Sequence, residues 1–446
     1  MKAASRYFLL VSQWLIIVGF WFWNHVNQPM GNALTGDPAN RLLAYGRLAG
    51  LLAAFGILLQ LILAGRVKWV EQVFGLDRLL RLHQVIGFSL LVFLIAHPIL
   101  VTAGHALMAD VSRADQLRDF FAHWDSVLAA TAGLALMIAA TAVSVAIIRR
   151  RMPFEAWYVT HLTFYLAILL AFGHQIAVGG DFADHPGFTA YWYALYAFTF
   201  GNLLYYRLFR PFWMFHRHRF QVVGLQAESS DVTSVFIEGR NLQAFPIEAG
   251  QFMLVRFWAP GLRWQVHPFS LSGPPDGTRI RLTIKALGDF TRRIPEIKPG
   301  TPVIIDGPHG LFTPRRSQLN KVLLIAGGIG ITPIRSIADT LVASGKDVTL
   351  IYGNRTLASS VFLNELTTLA AQAPDRFRIF NILSHDPGSA GEKGYVDRDC
   401  LTRLASDIRD REVYLCGPPG MMKKLRGILM TLGVPATRIY DERFAL

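Results

Sequence analysis

The sequence predicts a multi-domain membrane protein: a six-helix transmembrane bundle, then an antiparallel β-barrel, then an α/β domain. Three observations predict this fold class. Apolar runs of about 20 residues, the length that a helix needs to span a bilayer, fill the first part of the 446-residue chain. Short alternating strand patterns separated by Gly and Pro follow, and strand and helix patterns then alternate to the C-terminus. We therefore expect domains at 1–210, 211–316 and 317–446.

The membrane half contains six candidate spans, and its basic residues predict their orientation. Arg and Lys lie before the first span and after the second, fourth and sixth, whereas the alternate loops carry few of them. Because cytoplasmic loops are enriched in Lys and Arg, we expect a multi-pass protein of the plasma or inner membrane with both termini in the cytoplasm. The predicted spans are 7–23, 42–64, 82–103, 127–148, 157–178 and 189–206.

The composition narrows the possible classes. The net charge of +13 does not indicate nucleic-acid binding, because the basic residues crowd the ends of the apolar runs. Only Cys400 and Cys416 are present, so no disulfide framework is predicted. The N-terminal apolar run has no small-residue cleavage site, and we expect it to be a retained first helix instead of a signal peptide.

Two of the apolar runs carry two histidines each. His83 and His97, in the third span, should lie roughly 40° apart around a helix and about 21 Å apart along it. His161 and His174 repeat the arrangement in the fifth span, but their spacing turns them about 140° apart on an ideal helix. We expect a bend or bulge near Gly173, or long-reach ligation, to absorb that difference. Ionisable side chains inside a span indicate function.

The predicted orientation pairs these histidines. The third and fifth spans both run from inside to outside, so His83 and His161 form an inner pair and His97 and His174 an outer pair. Imidazole is a good ligand for haem iron. The pattern therefore predicts two stacked haems, each held by one histidine from each helix. The alternative is four polar side chains that are satisfied separately within a helix bundle.

A glycine-rich loop follows the first strand of the predicted α/β domain. The segment GGIGITP, residues 327–333, comes directly after the strand KVLLIA, and Thr332-Pro333 predicts an N-cap and the first turn of a helix. Glycines allow close backbone approach, and a helix N-terminus favours a pyrophosphate. The alternative is an ordinary tight turn between a strand and a helix.

Two further strand ends fit a dinucleotide site. Arg355 follows the second strand, where it could pair with a 2′-phosphate, and no acidic residue sits beside it in sequence. A solvated strand end is the alternative. Cys416-Gly417 ends a later strand and would put a small thiol residue near a nicotinamide, or it is simply a strand-to-helix turn.

Two motifs in the predicted barrel fit a flavin. The first, HPFSLS at 267–272, closes one strand, and the second, KALGDFT at 285–291, follows another. An aromatic ring beside a hydroxyl can stack on a flavin and hydrogen-bond its edge. A glycine and a threonine that open a helix can hold a pyrophosphate.

Taken in order, HPFSLS, IKALGDFT, DGPHGLF, GGIGITP and CGPPG resemble the flavin and pyridine-nucleotide domains of the ferredoxin–NADP reductase superfamily. With six spans and spaced histidines in front, and with LDRLLRLH ending at His83, the chain resembles the NADPH oxidase and ferric reductase family from about residue 40 to 446. The resemblance implies FAD, two haem b groups and NADPH or NADH as cofactors.

The resemblance also implies an activity. Such an NAD(P)H-dependent transmembrane oxidoreductase passes electrons from cytosolic NAD(P)H through FAD and two bis-His haems to an acceptor outside. We favour dioxygen as the acceptor, and a ferric chelate is the alternative. A membrane-tethered flavin reductase, or an electron-transfer subunit without outer acceptor chemistry, is an alternative of another class. The expected partners are the lipid bilayer and a small-molecule acceptor, without nucleic acid.

The family pattern implies roles for individual residues. Arg47, in the second span, lies near the outer haem, Cys416 lies at the nicotinamide, and Phe444 covers the flavin. Val101 replaces a histidine that the family carries four residues after the outer ligand. The implied haem ligands are His83, His97, His161 and His174. The implied cofactor-binding residues are His267, Pro268, Phe269, Ser270, Ser272, Lys285, Gly288, Thr291, Gly327, Gly328, Gly330, Thr332, Pro333, Arg355, Cys416, Gly417 and Phe444.

Acidic residues in the predicted outer loops bear on the acceptor, because they could attract ferric ions. They are Asp110, Asp115, Asp119 and Asp125 in one loop and Asp181 and Asp184 in the next.

Overall fold

The computed structural model describes residues 3–26, 36–144, 152, 154–183, 185–386, 388 and 391–442. The chain forms two compact units. The first comprises Met1–Val73 and Arg78–Tyr205, and its described secondary structure is helical. The second comprises Phe74–Asp77 and Tyr206–Leu446 and contains the described strands.

The first unit is built from long apolar helices around a buried core that includes Ile17, Leu58 and Trp192. Asp37 caps the second helix, since its Oδ1 accepts a hydrogen bond from the backbone N of Asn40 at 3.0 Å. The helices are α1 Ala3–Val26, α2 Pro38–Ala64, α3 Lys68–Phe74, α4 Leu76–Met108, α5 Arg113–His123, α6 Val127–Ser144, α7 Phe154–Ala177, α8 Gly180–Ala183 and α9 Pro186–Leu204.

Four of the described helices are long and apolar enough to cross a membrane, and they are α2, α4, α6 and α7. They correspond to the second to fifth predicted spans. Helix α4 is longer than predicted, because the preceding segment LDRLLR is also helical. The first and sixth predicted spans are the helices α1 and α9, which do not belong to this set of four. Aromatic and polar side chains lower the hydropathy of α9.

A π-helical turn at Tyr205–Phe209 and helix α10, Arg210–His218, precede the strands of the second unit. Six strands then form two antiparallel sheets of three strands each, in the orders β1-β2-β5 and β4-β3-β6. Their apolar side chains share one buried core. The strands are β1 Gln221–Ser229, β2 Val232–Glu238, β3 Phe252–Phe257, β4 His267–Ser270, β5 Ile280–Lys285 and β6 Val303–His309. The short helix α11, Asp289–Arg292, follows β5.

The rest of the unit is a parallel sheet with helices on both faces, as the alternating pattern predicts. The strand order is β10-β9-β8-β7-β11-β12, so the order reverses between β7 and β11. Ligands of such sheets bind outside the carboxyl ends of the strands at this point. The elements are β7 Lys321–Gly327, α12 Ile331–Ala343, β8 Asp347–Asn354, α13 Leu363–Gln372, β9 Phe377–Leu383, β10 Glu392–Lys393, α14 Arg398–Leu404, β11 Glu412–Cys416, α15 Pro419–Thr431 and β12 Ile439–Glu442.

Candidate functional site

The four histidines of the membrane helices lie in two facing pairs. His83 and His97 are on α4, and His161 and His174 are on α7. The ring centroids are 6.0 Å apart in the His83–His161 pair and 6.1 Å apart in the His97–His174 pair. The structure thus brings together the same partners that the charge pattern predicts.

These separations fit two imidazoles that bind one metal ion from opposite sides. A metal–nitrogen bond is about 2 Å long and the ring centre lies about 1 Å beyond the nitrogen, so two opposed ligands put their centroids roughly 6 Å apart. Among the described residues, no group of three or more His, Cys, Asp or Glu could hold a metal ion. Two opposed imidazoles fit an iron whose other ligands come from a porphyrin.

Backbone carbonyl groups of α2 orient both histidines of α4. Nδ1 of His83 is 3.3 Å from the carbonyl oxygen of Gln60, and Nδ1 of His97 is 2.9 Å from that of Gly46. A carbonyl oxygen can only accept, so Nδ1 carries the proton and Nε2 keeps the lone pair that binds a metal. Metal-binding histidines commonly donate their other N–H in this way.

The two histidines of α7 have the same tautomer. Nδ1 of His174 is 2.5 Å from the carbonyl oxygen of Ala171. Nδ1 of His161 is 3.3 Å from Oγ of Ser144, and this hydroxyl donates its proton to the carbonyl oxygen of Ala140 at 2.8 Å. Oγ must therefore accept from His161, so Nε2 is the atom that could bind a metal in all four rings.

The bulge expected near Gly173 is absent from α7. This helix is α-helical at every residue from Phe154 to Ala177. The ring of His174 instead folds back along its own helix to Ala171. The orientation of this side chain helps to compensate for the angle of about 140° between the two positions.

Glycines of α2 give the His97 ring its space. A Cβ at Gly50 would lie 2.7 Å from Nδ1 and 2.9 Å from Cε1 of His97. At Gly46 a Cβ would lie 2.8 Å from Cγ2 of Val101. Small residues four positions apart allow two membrane helices to approach closely. Neither glycine was predicted as a site residue from the sequence, although the Gly-x-x-x-Gly spacing within an apolar run was the available signal.

Arg47, between these glycines, belongs to a cluster of charged side chains. Its Nη1 is 3.8 Å from Oδ1 of Asp181, and Nε2 of His25 is 2.7 Å from the same oxygen. His25 and Asp181 are buried, whereas 37% of the Arg47 side chain is exposed. The sequence presents Asp181 as an acidic residue of an outer loop, but the structure makes it the partner of a cation. Asp184 lies outside the described residues.

The first flavin-type motif lies on β4. The ring centroid of His267 is 3.9 Å from that of Phe290, and the ring centroid of Phe269 is 6.3 Å from that of Phe290. Pro268 lies between His267 and Phe269 on the strand. Oγ of Ser270 is buried and has no hydrogen-bond partner among the described residues. An unpaired buried hydroxyl is costly, so this atom fits a ligand that can supply a partner, as the edge of a flavin can.

The second flavin-type motif forms the turn after β5. Oγ1 of Thr291 accepts a hydrogen bond from the backbone N of Gly288 at 2.9 Å, so its hydroxyl shapes the loop. Nζ of Lys285 is 3.3 Å from Oδ2 of Asp231. Ser272 is buried and its hydroxyl is hydrogen-bonded within the protein. Gly288 has open space where a Cβ would lie, which leaves its backbone accessible to a ligand.

The glycine-rich loop and the Cys416 strand end pack directly against each other. A Cβ at Gly330 would lie 2.5 Å from the carbonyl oxygen of Cys416, and one at Gly417 would lie 3.1 Å from Cα of Gly327. Gly328 has a φ of +51°, which favours glycine. The two predicted nucleotide motifs therefore meet at the carboxyl ends of β7 and β11, where such folds bind ligands.

The helix after this loop begins earlier than predicted. Helix α12 starts at Ile331 with Gly330 as its N-cap, because a 3₁₀ turn of the loop leads directly into it. Thr332, predicted as the N-cap, is therefore inside the first turn together with Pro333. Its hydroxyl donates to the carbonyl oxygen of Ile329 at 3.0 Å and so stabilises the loop from within.

Both cysteines of the chain are buried. Burial, with the neighbouring carboxylates of Glu442 and Asp441, raises the pKa of Cys416 well above that of an ordinary thiol, so it stays neutral. Burial also raises the pKa of Cys400. Glu442 on β12 is the register partner of Cys416. It is a candidate site residue that was not predicted from the sequence. Phe444 lies outside the described residues.

Arg355 lies exposed at the end of β8. Oδ2 of Asp386 accepts a hydrogen bond from the backbone N of Leu357 at 2.9 Å. The segment that follows strand β9 thus supplies a carboxylate close to Arg355 in the fold, since the backbone N of His385 donates to the carbonyl oxygen of Arg355 at 2.8 Å. No acidic residue is a neighbour of Arg355 in sequence. Both signs of charge are therefore available where a ribose 2′-substituent would bind.

Three family models match the chain, in the order of its domains. They are a ferric reductase like transmembrane component over residues 49–172, an FAD-binding domain over 214–312 and an oxidoreductase NAD-binding domain over 324–427. This is the architecture of the NADPH oxidase and ferric reductase family. Of the paired histidines, His83, His97 and His161 lie inside the matched transmembrane region of that family, and His174 lies just beyond it.

Curated relatives match part of the chain. An NADPH oxidoreductase of Mycobacterium tuberculosis is 27% identical over 251 residues, which are 54% of this chain and 64% of that protein. An NADH-cytochrome b5 reductase 2 of Pyricularia oryzae is 33% identical over 172 residues, 34% of this chain and 52% of the relative. The chain thus spans less than two thirds of these relatives.

A solved structure titled as the ferredoxin reductase in carbazole 1,9a-dioxygenase is 27% identical, with a TM-score of 0.44, and the match covers 50% of this chain and 68% of the other.

Proposed function

We propose that this chain moves electrons across a membrane, from NAD(P)H through FAD and two b-type haems to dioxygen. The observation that carries the proposal is the two pairs of facing imidazoles on α4 and α7, with ring centroids 6.0 and 6.1 Å apart. His83 and His161 would bind the inner iron, and His97 and His174 the outer one. The matched transmembrane, FAD-binding and NAD-binding domains supply the order of the parts.

The proposal requires six spans with both termini and the nucleotide-binding domains in the cytoplasm. Helices α1 and α9 would complete the bundle, since side chains of both belong to its core. The domain limits proposed are 1–210, 211–316 and 317–446. The two antiparallel sheets would close as one barrel, which is supported by the isolated bridges Gln221–Pro302 and Leu271–Leu282 between them.

Bound FAD would convert an electron pair into single electrons and bound haem would relay them, while the chain supplies position and access. The hydroxyl of Ser270 would bond the flavin edge beside Phe269. Neutral Cys416 would form a wall of the nicotinamide position, and Phe444 would cover the flavin. The other proposed cofactor contacts are His267, Pro268, Ser272, Lys285, Gly288, Thr291, Gly327, Gly328, Gly330, Thr332, Pro333, Arg355 and Gly417.

Arg47 supports dioxygen as the acceptor. Its guanidinium is partly exposed beside the His97 level, since Gly46 and Gly50 flank it in α2 and both contact the end of α4 that contains His97. A cation there would stabilise an anionic product or a haem carboxylate. Asp181 is buried and paired, so it does not offer an exposed carboxylate to a metal ion.

Ferric reduction is the second candidate. Four carboxylates around α5 are exposed and could raise the local concentration of ferric ions. Two of them have partners, since Asp115 pairs with Arg118 at 2.7 Å and Asp119 with His123 at 2.9 Å. The four are Asp110, Asp115, Asp119 and Asp125.

The test supplies NADPH to the purified protein with cytochrome c as reporter, with and without superoxide dismutase, and then with a ferric chelate under nitrogen. Dismutase should abolish reporter reduction, and Arg47→Ala should slow it. Dismutase-insensitive reduction, with fast anaerobic ferric reduction unaffected by Arg47→Ala, would assign the chain to ferric reduction. A purified protein without a haem spectrum would leave a membrane-tethered flavin reductase.

A further inference from the structure

Gln60 on α2 carries a buried amide with two unpaired polar atoms. The residue is 9% exposed, and neither Nε2 nor Oε1 has a hydrogen-bond partner among the described residues. An unpaired amide is costly in any apolar interior. The cost is harder to relieve within a bilayer, because no bulk water is present to hydrogen-bond the amide. A glutamine in this position therefore indicates a bound polar group.

A second glutamine of the same bundle shows how the protein satisfies such an amide by itself. Oε1 of Gln175 accepts hydrogen bonds from Nε1 of Trp192 at 3.0 Å and from the hydroxyl of Tyr196 at 3.1 Å. Its Nε2 lies 3.3 Å from the carbonyl oxygen of Ala171. Gln60 differs because no described side chain or carbonyl takes these roles.

The amide of Gln60 lies between the levels of the two histidine pairs. Its backbone oxygen contacts Nδ1 of His83 at 3.3 Å. Its side-chain Nε2 instead lies beside Gly87, since a Cβ built there would be 3.6 Å from it. Gly87 is about one helical turn after His83, in the direction of His97. The amide is therefore displaced from the His83 ring toward the second pair.

We propose that Gln60 hydrogen-bonds an oxygen atom beside the haem that His83 and His161 would bind, and that it thereby sets the reduction potential of that haem. The inference rests on the proposed function. Nε2 can donate to a haem carboxylate, and a water molecule can satisfy Nε2 and Oε1 together. A fixed amide dipole next to a redox centre in a low-dielectric interior changes the relative stability of its two charge states.

The experiment compares the holoprotein with Gln60→Met, which keeps the length of the side chain and removes its donor and acceptor. Gln84→Met is the matched control, because the same change is made next to His83 at an exposed position. An anaerobic redox titration followed by haem absorbance should give two midpoints. We expect Gln60→Met to keep two haems and to shift one midpoint, and Gln84→Met to leave both unchanged. Gln60→Leu repeats the measurement with a second apolar side chain.

Two spectra identify the source of the oxygen. A carboxylate partner predicts that Gln60→Met shifts the propionate bending band in the resonance Raman spectrum. A water partner predicts the loss of an O–H band that is sensitive to H₂¹⁸O in the reduced-minus-oxidised infrared spectrum. Two haems per chain with unchanged midpoints and unchanged spectra in both Gln60 variants would overturn the inference alone. A wild-type protein without haem would overturn the proposed function, and the inference with it.

Discussion

The two histidine pairs use the same side chains but are held differently. In the His97–His174 pair, both Nδ1 atoms contact backbone carbonyl oxygens, at 2.9 and 2.5 Å. In the His83–His161 pair both contacts are 3.3 Å long, and one acceptor is the hydroxyl of Ser144. A backbone acceptor survives any substitution of its own side chain, whereas a hydroxyl does not. We therefore expect the His97–His174 pair to be fixed by helix packing and the other pair to be open to adjustment.

The packing around the two histidine pairs also differs, and it too is tighter around the His97–His174 pair. Gly50 leaves no room for a Cβ beside the His97 ring. The His161 ring is stacked on Trp157 instead, with centroids 5.1 Å apart and an angle of 28° between the planes. The His97–His174 pair thus depends on the close approach of helices α2 and α4. The His83–His161 pair depends instead on neighbouring side chains, which a substitution can replace.

The largest effect should come from replacing a histidine of the His97–His174 pair, which we call the rigid pair; the His83–His161 pair is the adjustable pair. His97→Leu should eliminate one of the two haems and stop acceptor reduction, while anaerobic flavin reduction by NADPH continues, because the soluble domains are untouched. Haem content and stopped-flow absorbance measure both outcomes. His105→Leu is the control on the same helix, since His105 packs on Phe120 and Trp124 and does not face a second imidazole. Two haems and full activity in His97→Leu would refute the pairing.

A single methyl group should distinguish the rigid pair next. Gly50→Ala would put a Cβ 2.7 Å from Nδ1 of His97. Overpacking costs about 1–3 kcal/mol, which is roughly a 5- to 150-fold loss of haem affinity at that site. Gly87→Ala is the matched control near the other pair, because its Cβ would be 3.6 Å from the nearest atom. Equal haem retention in both variants would contradict this account of the packing.

Ser144→Ala should weaken haem binding only at the His83–His161 pair. It removes the acceptor that orients His161 and frees the ring to rotate, and loss of such a partner lowers metal affinity by roughly tenfold or more. Ser89→Ala is the control, since that hydroxyl is exposed and its hydrogen-bond partner among the described residues is the carbonyl oxygen of Val85. Thermal release of haem, followed for each absorbance band, measures the difference. A loss shared equally by both haems would show that the pairs are not independent.

The smallest effect on either pair should come from Arg355→Ala. We expect both haems to be retained and the preference for NADPH over NADH in kcat/KM to fall by up to about fivefold, because an exposed ion pair contributes about 1 kcal/mol or less. Asp386→Ala should raise that preference, since it removes the nearby carboxylate. Identical ratios in the wild type and Arg355→Ala would exclude a role for this side chain.

The parts predicted correctly are those that depend on periodicity and on charge. The distribution of Lys and Arg between the loops predicted that α4 and α7 run in the same direction, and this direction alone pairs His83 with His161. Strand ends followed by glycines led us to assign the loop at 327–333 and Cys416 to one dinucleotide site. In the fold the two are in contact, because β7 and β11 are neighbouring parallel strands that end at one edge of the sheet.

The parts missed depend on contacts between distant segments. A helical spacing does not tell how far a ring turns, so the fold of His174 back to Ala171 was not foreseen. The partner of Arg47 comes from α8, far along the chain, and only packing brings Asp181 to it. Thr332 has the side chain of an N-cap, but the 3₁₀ turn before it takes that position. Asp386 reaches the vicinity of Arg355 only because β8 and β9 are neighbours in the sheet.

The burial of both cysteines has a consequence for the lifetime of the protein. Oxidation of a thiol requires that it be exposed and ionised. The only two cysteines of the chain are buried, and burial raises the pKa of each. The chain therefore offers an oxidant no accessible thiolate, so we expect its cysteines to survive oxidising conditions without repair by a cellular reductant.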